Sequence, residues 1–272
     1  MLLMPVAPTF SSRFSIDMLI DACYVTNTGK VRKNNEDSLL LNGTLVRGSM
    51  SGIGSERSEG DRQVYMVADG MGGHAKGEVA SGTVLNVFKE RYADLDSAEH
   101  ITEVLQAAKE RLNNLVEKDQ STFGMGTTVA GMFFTKAKAF VLNCGDSRVY
   151  ESADHLRKIT KDHSLVQELV DSGTITEEEM RTHPQKNIIT SALMGDLRRG
   201  LPLYSLEETR IMKGQKFLLC SDGLWESLSD RHMAECLGKK GIKEGLECLF
   251  RDTLAAGASD NVSIILLQVA EV

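Results

Sequence analysis

Short apolar runs recur along the chain and alternate with polar, glycine-containing segments. The runs are partly β-branched, which is typical of buried strands. They cover residues 22–26, 38–41, 64–68, 127–134, 139–144, 148–151, 216–220 and 262–269. Only TKAK separates the fourth run from the fifth, which predicts a hairpin and therefore antiparallel pairing.

Apolar residues at helical spacing fill the interval between the third and fourth runs. One set is Ala80, Val84, Val87 and Phe88, and the second is Ile101, Val104, Leu105, Ala108, Leu112 and Leu115. Because two helices then follow each other between strands, we expect a helical layer packed on a sheet. Further helices are predicted at 164–172, 177–181, 231–237 and 244–255.

Three segments lack a clear period. Residues 1–20 are interpreted as a loose tail, because a basic start is missing and Pro5 and Pro8 interrupt the apolar stretch of a signal peptide; translation from Met18 is an alternative. Residues 42–62 are rich in glycine, serine and charge, and predict a mobile surface loop. Residues 171–200 predict a flap beside a site, or, like 42–62, a variable loop without a role. The remainder, 21–272, is expected to be a single domain.

Composition excludes several classes of protein. Of 272 residues, 42% are hydrophobic and 25% charged, the balance of a soluble globular protein. No apolar run approaches the roughly 18 residues that span a bilayer, so we expect no membrane association. The net charge of −7 and the lack of a basic run make nucleic acid a poor partner. We expect a cytoplasmic monomer.

The five cysteines form no CxxC pair. An odd number of cysteines at such spacing argues against a disulfide framework and against a zinc site. We therefore expect buried thiols in a reducing compartment.

Aspartates follow several of the apolar runs. Asp69 ends VYMVAD, Asp146 ends VLNCGD, and Asp222 ends FLLCSD. Asp260 precedes the last run, and the pair Glu36-Asp37 precedes the second. One such aspartate ordinarily caps a turn or helix. Several with similar flanks are harder to explain as separate caps, and if they converge, their mutual repulsion requires cations between them.

The candidate ligands are all oxygen atoms, and no histidine or cysteine pair has metal-ligand spacing. Oxygen ligands favour Mg²⁺ or Mn²⁺ over zinc. Glycines after Asp69 let backbone and metal-bound water approach closely, and Gly70 can offer its carbonyl oxygen.

Eight motifs in order resemble the PPM family (protein phosphatase 2C-like), in its bacterial branch. They are TNTGKVRKNNEDS (26–38), VADGMGGHAKGEVAS (67–81), GMGTTV (124–129), CGDSRVY (144–150), ITKDHSLVQELVDSG (159–173), HPQKNIITSAL (183–193), CSDGLWE (220–226) and ASDNVSI (258–264). The resemblance spans about residues 21–269. It implies an α+β fold, a four-layer αββα sandwich in which helices flank two stacked antiparallel sheets.

The resemblance also implies roles for particular residues. Asp69 resembles the aspartate that bridges two metal ions, and Gly70 the residue whose carbonyl binds one of them. Asp222 and Asp260 resemble ligands of the other ion. The remaining implied roles are Glu36 and Asp37 holding metal-bound water, Arg32 binding phosphate, Asp146 with Asp222 holding a third ion, and residues 164–195 forming the flap.

Two positions depart from relatives of this family. Met71 stands where animal members carry a histidine proposed as the general acid, and Ser191 stands where many relatives carry an arginine in the flap. The source of the leaving-group proton and the contacts of the flap therefore do not follow from the resemblance.

The expected activity is hydrolysis of phosphoserine and phosphothreonine in proteins by water activated at a binuclear Mn²⁺ or Mg²⁺ centre. The expected partners are phosphorylated proteins and a bacterial Ser/Thr kinase whose action the enzyme reverses. The main alternative is a non-catalytic phosphoprotein-binding module of the same fold. A second alternative is a nuclease or nucleotide phosphatase, which the lack of base-stacking aromatic residues disfavours.

Overall fold

Two six-stranded antiparallel sheets form the centre of the computed structural model, which describes residues 18–72, 76–136, 138–153, 155–238 and 241–272. The strands are β1 (Leu19–Asn27), β2 (Ser38–Leu41), β3 (Thr44–Arg47), β4 (Gly54–Glu59), β5 (Gln63–Ala68), β6 (Gly70–Met71), β7 (Gly126–Thr127), β8 (Val129–Thr135), β9 (Lys138–Cys144), β10 (Arg148–Ser152), β11 (Leu156–Lys158), β12 (Leu193–Met194), β13 (Ser205–Arg210), β14 (Lys216–Cys220) and β15 (Val262–Glu271). The helices are α1 (Gly77–Glu90), α2 (Ala98–Lys118), α3 (Leu165–Asp171), α4 (Glu177–Met180), α5 (Asp222–Trp225), α6 (Asp230–Leu237) and α7 (Ile242–Ala255), with short 3₁₀ helices at Tyr92–Asp94 and Gln120–Thr122.

Each large sheet joins strands that are distant in sequence. One sheet has the order β11-β10-β14-β15-β1-β4, and the other has the order β13-β9-β8-β5-β2-β3. A small third sheet, β12-β7-β6, lies beside them. The predicted hairpin is β8–β9, in which Thr135 pairs with Lys138.

The central strands are buried on both faces. Leu39 and Tyr65 point between the two sheets, where they meet Ile265 and Leu267 of the opposite sheet. The alternate residues Leu40 and Met66 point outward into the cluster formed with α1 and α2. This double burial explains why these strands are continuous apolar runs rather than alternating ones.

The second sheet has its own helical cover. Outward side chains such as Leu218 and Ile264 pack with Met233 of α6 and Leu246 of α7. The four layers are therefore helices, sheet, sheet and helices, which confirms the predicted αββα sandwich. Among the described residues, no helix combines the length and the apolar character needed to cross a bilayer.

The prediction of an irregular loop at 42–62 is wrong for much of that segment. It contains β3, which pairs with β2 at one sheet edge, and β4, which pairs with β1 at the edge of the other sheet. The sequence of β4, GSERSE, is polar on both faces because the strand lies at an exposed edge. Of the predicted loose tail, residues 1–17 lie outside the described residues, and β1 begins at Leu19.

The expectation that the cysteines form no disulfide is also wrong for one pair. Cys236 of α6 and Cys248 of α7 are joined by a disulfide. Spacing missed this pair because two antiparallel helices bring together residues twelve positions apart. Cys23, Cys144 and Cys220 are buried free thiols, as predicted.

Candidate active site

Strand register brings the predicted acidic residues to one end of the sandwich. Ser38 at the start of β2 pairs with Ala68 at the end of β5, so Asp37 and Asp69 come next to each other. In the opposite sheet Cys220 pairs with Ile264, which places the end of β14 beside the start of β15. The chain therefore carries its acidic residues to the same edge of each sheet, although Glu36 and Asp260 are 224 positions apart in sequence.

A cavity of about 460 Å³ opens at this edge. Its walls include six predicted site residues: Arg32, Glu36, Asp69, Gly70, Asp222 and Asp260. The other two, Asp37 and Asp146, are 1% and 3% exposed and do not line it. Their charges nevertheless raise the pKa of the Asp69 carboxyl, so all five aspartates form one electrostatic unit.

The backbone at Asp69 is fixed by two threonines. Thr127 Oγ1 donates a hydrogen bond to the Asp69 carbonyl at 2.8 Å, and the Thr128 backbone N–H donates to the same oxygen at 2.9 Å. The next residue, Gly70, packs so closely on the carbonyls of Gly77 and Glu36 that a Cβ there would overlap them. Glycine at position 70 therefore lets α1 and the Glu36 loop close around the aspartate.

Asp37 is held from one side only. Ser221 Oγ donates to Asp37 Oδ2 at 2.9 Å. The other oxygen, Oδ1, is buried and has no hydrogen-bond partner among the described residues. The same is true of Oδ1 of Asp146 and Oδ1 of Asp222.

These unpaired oxygens are energetically costly, because a buried polar atom without a partner loses the hydrogen bonds that water gave it. Three in one cluster, surrounded by further carboxylates, fit the hard-oxygen ligand set of Mg²⁺ or Mn²⁺. The donors that the structure offers are therefore compatible with divalent cations.

The pKa values of the aspartates in the cluster are raised, because burial and mutual repulsion disfavour their ionised forms. Burial raises the pKa of Asp37 to about 6 and that of Asp146 to about 7, where the nearby Asp162 adds to the effect. Burial, together with the neighbouring carboxylates, holds the pKa of Asp69 and of Asp222 well above the ordinary value. The cluster therefore favours the binding of protons or of other cations, which offset its negative charge.

Asp146 is positioned by a buried aromatic and ionic group. Trp225 Nε1 donates to the Asp146 carbonyl at 3.0 Å. The guanidinium of Arg148 stacks on the Trp225 ring at 3.5 Å and pairs with Asp162. Trp225 thus links α5 to the β9–β10 turn.

Arg32 lies at the mouth of the cavity. Its Nη2 donates to Asp260 Oδ2 at 2.6 Å, and its side chain is 56% exposed. This hydrogen bond, with the charges of Asp260, Asp222 and Asp69, raises the pKa of the guanidinium. The group stays charged and faces the carboxylates from the solvent side.

The loop that carries Arg32 is fastened by Asn261, whose role the sequence analysis missed. Asn261 Nδ2 donates to the carbonyls of Thr28 and Asn34, and its Oδ1 accepts from the Glu36 N–H at 2.8 Å. One side chain thereby joins the loop to the strand that begins beside Asp260. The Asp-Asn pair before an apolar run was the available signal, because Asn can both donate and accept.

The segment that was predicted as a flap contributes Asn187 and Ile189 to the cavity wall. Ser191 does not line this cavity; its Oγ donates to the Leu203 carbonyl at 2.7 Å. The hydroxyl therefore joins the predicted flap to the stretch that follows it, just before β13.

Two antiparallel sheets between helical layers, with buried carboxylates at one edge, define the class of metal-dependent phosphatases with this architecture. The chain belongs to the protein phosphatase 2C family, whose sequence profile matches residues 53–257.

Individual relatives agree with this assignment. The chain is 34% identical to the serine/threonine protein phosphatase PstP of Mycobacterium tuberculosis over 90% of its own length and 44% of that protein. It is 31% identical to the serine/threonine phosphatase stp of Listeria monocytogenes over 89% of this chain and 93% of that protein. The chain thus spans less than half of PstP and nearly all of stp.

A solved structure gives the same result in three dimensions. The catalytic domain of PstP in complex with two manganese ions has a TM-score of 0.76 and 31% sequence identity, covering 93% of this chain and all of that domain.

Proposed function

We propose that this protein hydrolyses phosphoserine and phosphothreonine side chains of other proteins with the help of two divalent cations. The observation that carries the proposal is the set of unpaired oxygens on Asp37, Asp146 and Asp222 beside a cavity lined by further carboxylates. The names of the relatives, which are serine/threonine phosphatases, support the same substrate class.

The cations would be held by residues from both sheets. Asp69 would bridge them, with the Gly70 carbonyl on one ion and Asp222 and Asp260 on the other. Glu36 and Asp37 would hold metal-bound water. The two manganese ions in the PstP catalytic domain support the number, and Mn²⁺ and Mg²⁺ both suit these oxygen ligands. A third ion between Asp146 and Asp222 is part of the proposal.

When bound, the two cations supply a nucleophilic water near neutral pH and neutralise the phosphoryl oxygens. The chain's own residues orient the substrate. Arg32, exposed at the cavity mouth, can release Asp260 and grip two phosphate oxygens with its planar fork. Asn261 keeps the loop that carries Arg32 in place during this exchange.

The cellular role follows from this activity. A Ser/Thr kinase and its substrates are the expected functional partners, and the protein would act in the cytoplasm as a monomer. Binding without turnover, the alternative role, is disfavoured because the complete set of buried carboxylates is retained at a free-energy cost that simple recognition does not require.

One assay separates the candidate functions. A phosphothreonine peptide and a nucleoside triphosphate are offered to the full chain with Mn²⁺, with Mg²⁺ and with EDTA. The proposal predicts peptide turnover that needs metal and exceeds nucleotide turnover. Metal-dependent binding without turnover would support the binding module, and preferred nucleotide hydrolysis would support a nucleotide phosphatase.

A further inference from the structure

Helices α6 and α7 bring four side chains with metal-binding atoms to one point. Each helix supplies a pair four residues apart, His232 with Cys236 and Cys248 with Asp252. Residues at this spacing share one face of a helix. None of the four lines the active-site cavity.

The four side chains converge on a single oxygen atom. Asp252 Oδ2 lies 2.8 Å from His232 Nε2, 3.8 Å from Cys236 Sγ and 3.7 Å from Cys248 Sγ. The cysteines are buried, whereas the side chains of His232 and Asp252 are 43% and 23% exposed. The two sulfur atoms therefore lie on the buried side of the cluster, and an ion can enter from the solvent side between His232 and Asp252.

We propose that His232, Cys236, Cys248 and Asp252 form a second metal site, which binds Zn²⁺ or a similar divalent ion such as Co²⁺ when the two cysteines are reduced. Two sulfurs, one imidazole nitrogen and one carboxylate oxygen are a four-coordinate donor set that suits Zn²⁺ and Co²⁺. The carboxylates that line the active-site cavity among the described residues are oxygen donors, so the two sites favour different metals.

Arg251 completes the charge balance of this site. Two thiolates and one carboxylate on a divalent ion leave one negative charge. Arg251 Nε donates to the other Asp252 oxygen, Oδ1, at 2.8 Å, and its Nη2 lies 3.6 Å from Cys248 Sγ. The guanidinium offsets the excess charge and leaves Oδ2 free to face the cluster.

The disulfide and the ion exclude each other. Cys236 and Cys248 are bonded in this structure, and a disulfide has no thiolate to offer. Two sulfurs on one tetrahedral zinc ion lie about 3.8 Å apart, given a Zn–S distance of about 2.3 Å. Reduction is thus required before binding.

The chemistry of loading balances with a tertiary phosphine as the reductant. The phosphine breaks the S–S bond and is oxidised to its oxide with an oxygen atom from water, whose two hydrogens form the two thiols. Each thiol then gives its proton to solvent as its sulfur bonds to the metal.

The spacing of the cysteines predicted no zinc site, because the sequence contains no CxxC pair. Here the pattern is H-x₃-C on one helix and C-x₃-D on the next. Only the packing of α6 against α7 makes it one cluster.

Cobalt titration of the phosphine-reduced full chain tests the proposal. Thiolate ligands give Co²⁺ a charge-transfer band that oxygen ligands do not, so the active-site cavity cannot produce it. We expect one equivalent of Co²⁺ with this band, and no band in the disulfide form. Asp252→Asn and His232→Gln, which change partly exposed side chains, should weaken binding more than about tenfold.

Matched cysteine variants identify the sulfurs. Cys248→Ser should abolish the band, whereas Cys23→Ala, which removes another buried thiol of the same core cluster, should keep it. Circular dichroism establishes that each variant is folded. The proposal fails if reduced protein shows no band, or if the band survives in folded Cys248→Ser.

Discussion

Four other carboxylates act on the pKa of Asp69. Its side chain is partly buried in the cavity wall, and desolvation raises its pKa together with the charges of Asp37, Asp222, Asp146 and Asp260. The mutual repulsion of these carboxylates destabilises the metal-free protein. A divalent ion among them is attracted by each carboxylate and offsets that repulsion, so the arrangement favours cation binding.

Replacing this carboxylate by an amide separates function from stability. We predict that Asp69→Asn lowers kcat for a phosphothreonine peptide by at least about 10³-fold, because a bridging ligand is lost. At a pH where Asp69 is ionised, the same change should stabilise the metal-free protein by about 1–3 kcal/mol, because the amide removes the repulsion between Asp69 and the neighbouring carboxylates. Steady-state assays and thermal melts in EDTA measure both. Wild-type turnover by the variant would show that Asp69 is not a ligand.

Arg32 should act on the substrate rather than on the fold. We predict that Arg32→Ala raises KM and lowers kcat, with kcat/KM reduced about 10- to 100-fold, the value of a charge-assisted hydrogen bond of about 1.5–3 kcal/mol. Arg32→Lys should recover only part of the loss, because lysine lacks the planar fork.

The control for Arg32 is Arg57→Ala. Arg57 is also exposed and ion-paired with an aspartate, Asp21, on the β1–β4 edge. Its removal should leave the kinetics unchanged. Equal kinetic effects of the two substitutions would remove Arg32 from the site.

The conformation of the loop between β1 and β2 depends on the side chain of Asn261, the residue just before β15. Asn261 makes three hydrogen bonds to this loop, and Gly223 packs so closely on the Asn261 carbonyl that a Cβ would overlap it. The first turn of α5, the start of β15 and the Arg32 loop are therefore positioned as one unit.

Asn261→Ala should loosen this unit. We predict a stability loss of about 1–3 kcal/mol from unpaired backbone groups and a rise in KM, since Arg32 is no longer held at the cavity mouth. Thermal melts and peptide kinetics test this. Asn86→Ala, which removes an exposed hydrogen bond within α1, is the control. An Asn261 variant with wild-type KM would contradict the positioning role.

The elements that could be predicted from the sequence are those with buried faces. Continuous apolar runs identified β5, β9 and β14, since strands covered by helices and by a second sheet have little polar surface. The polar strands β4 and β13 were missed because each lies at a sheet edge and carries no such pattern.

The sequence predicted some residues of the candidate site and missed others. Asp69 and Asp222 stood out because several aspartates with similar flanks follow apolar runs. Asn261, Ser221 and Thr128 did not stand out, because their role depends on which loops meet and not on local pattern. The disulfide of Cys236 and Cys248 was missed for the same reason.

The carboxylate cluster makes the unfolding free energy of the whole protein depend on pH and on bound metal ions. Asp37 and Asp146 hold protons up to about pH 6 and 7 in the folded state, against an ordinary pKa of 3.8. A group that binds its proton more tightly when folded stabilises the fold fully at low pH. That contribution is lost as pH rises through the folded-state pKa.

Metal-free protein should therefore become less stable between pH 4 and pH 7 by roughly 3 kcal/mol for each such group. We predict that Asp146→Asn shows a smaller decline in Tm over this range than the wild type, and that Mn²⁺ suppresses the decline in the wild type. Melts in EDTA and in Mn²⁺ at matched pH provide the measurement. Identical pH profiles for wild type and Asp146→Asn would contradict it.

Carboxylates from distant parts of the chain are proposed to form one cation-binding cluster. Electron paramagnetic resonance during titration of the metal-free protein counts the bound Mn²⁺ ions, with Asp69→Asn titrated alongside. We expect at least two Mn²⁺ ions per wild-type chain and weaker, incomplete binding by the variant. A folded wild-type protein that binds no Mn²⁺ at millimolar concentration, or a variant that binds it equally well, would rule out the cluster as a cation site.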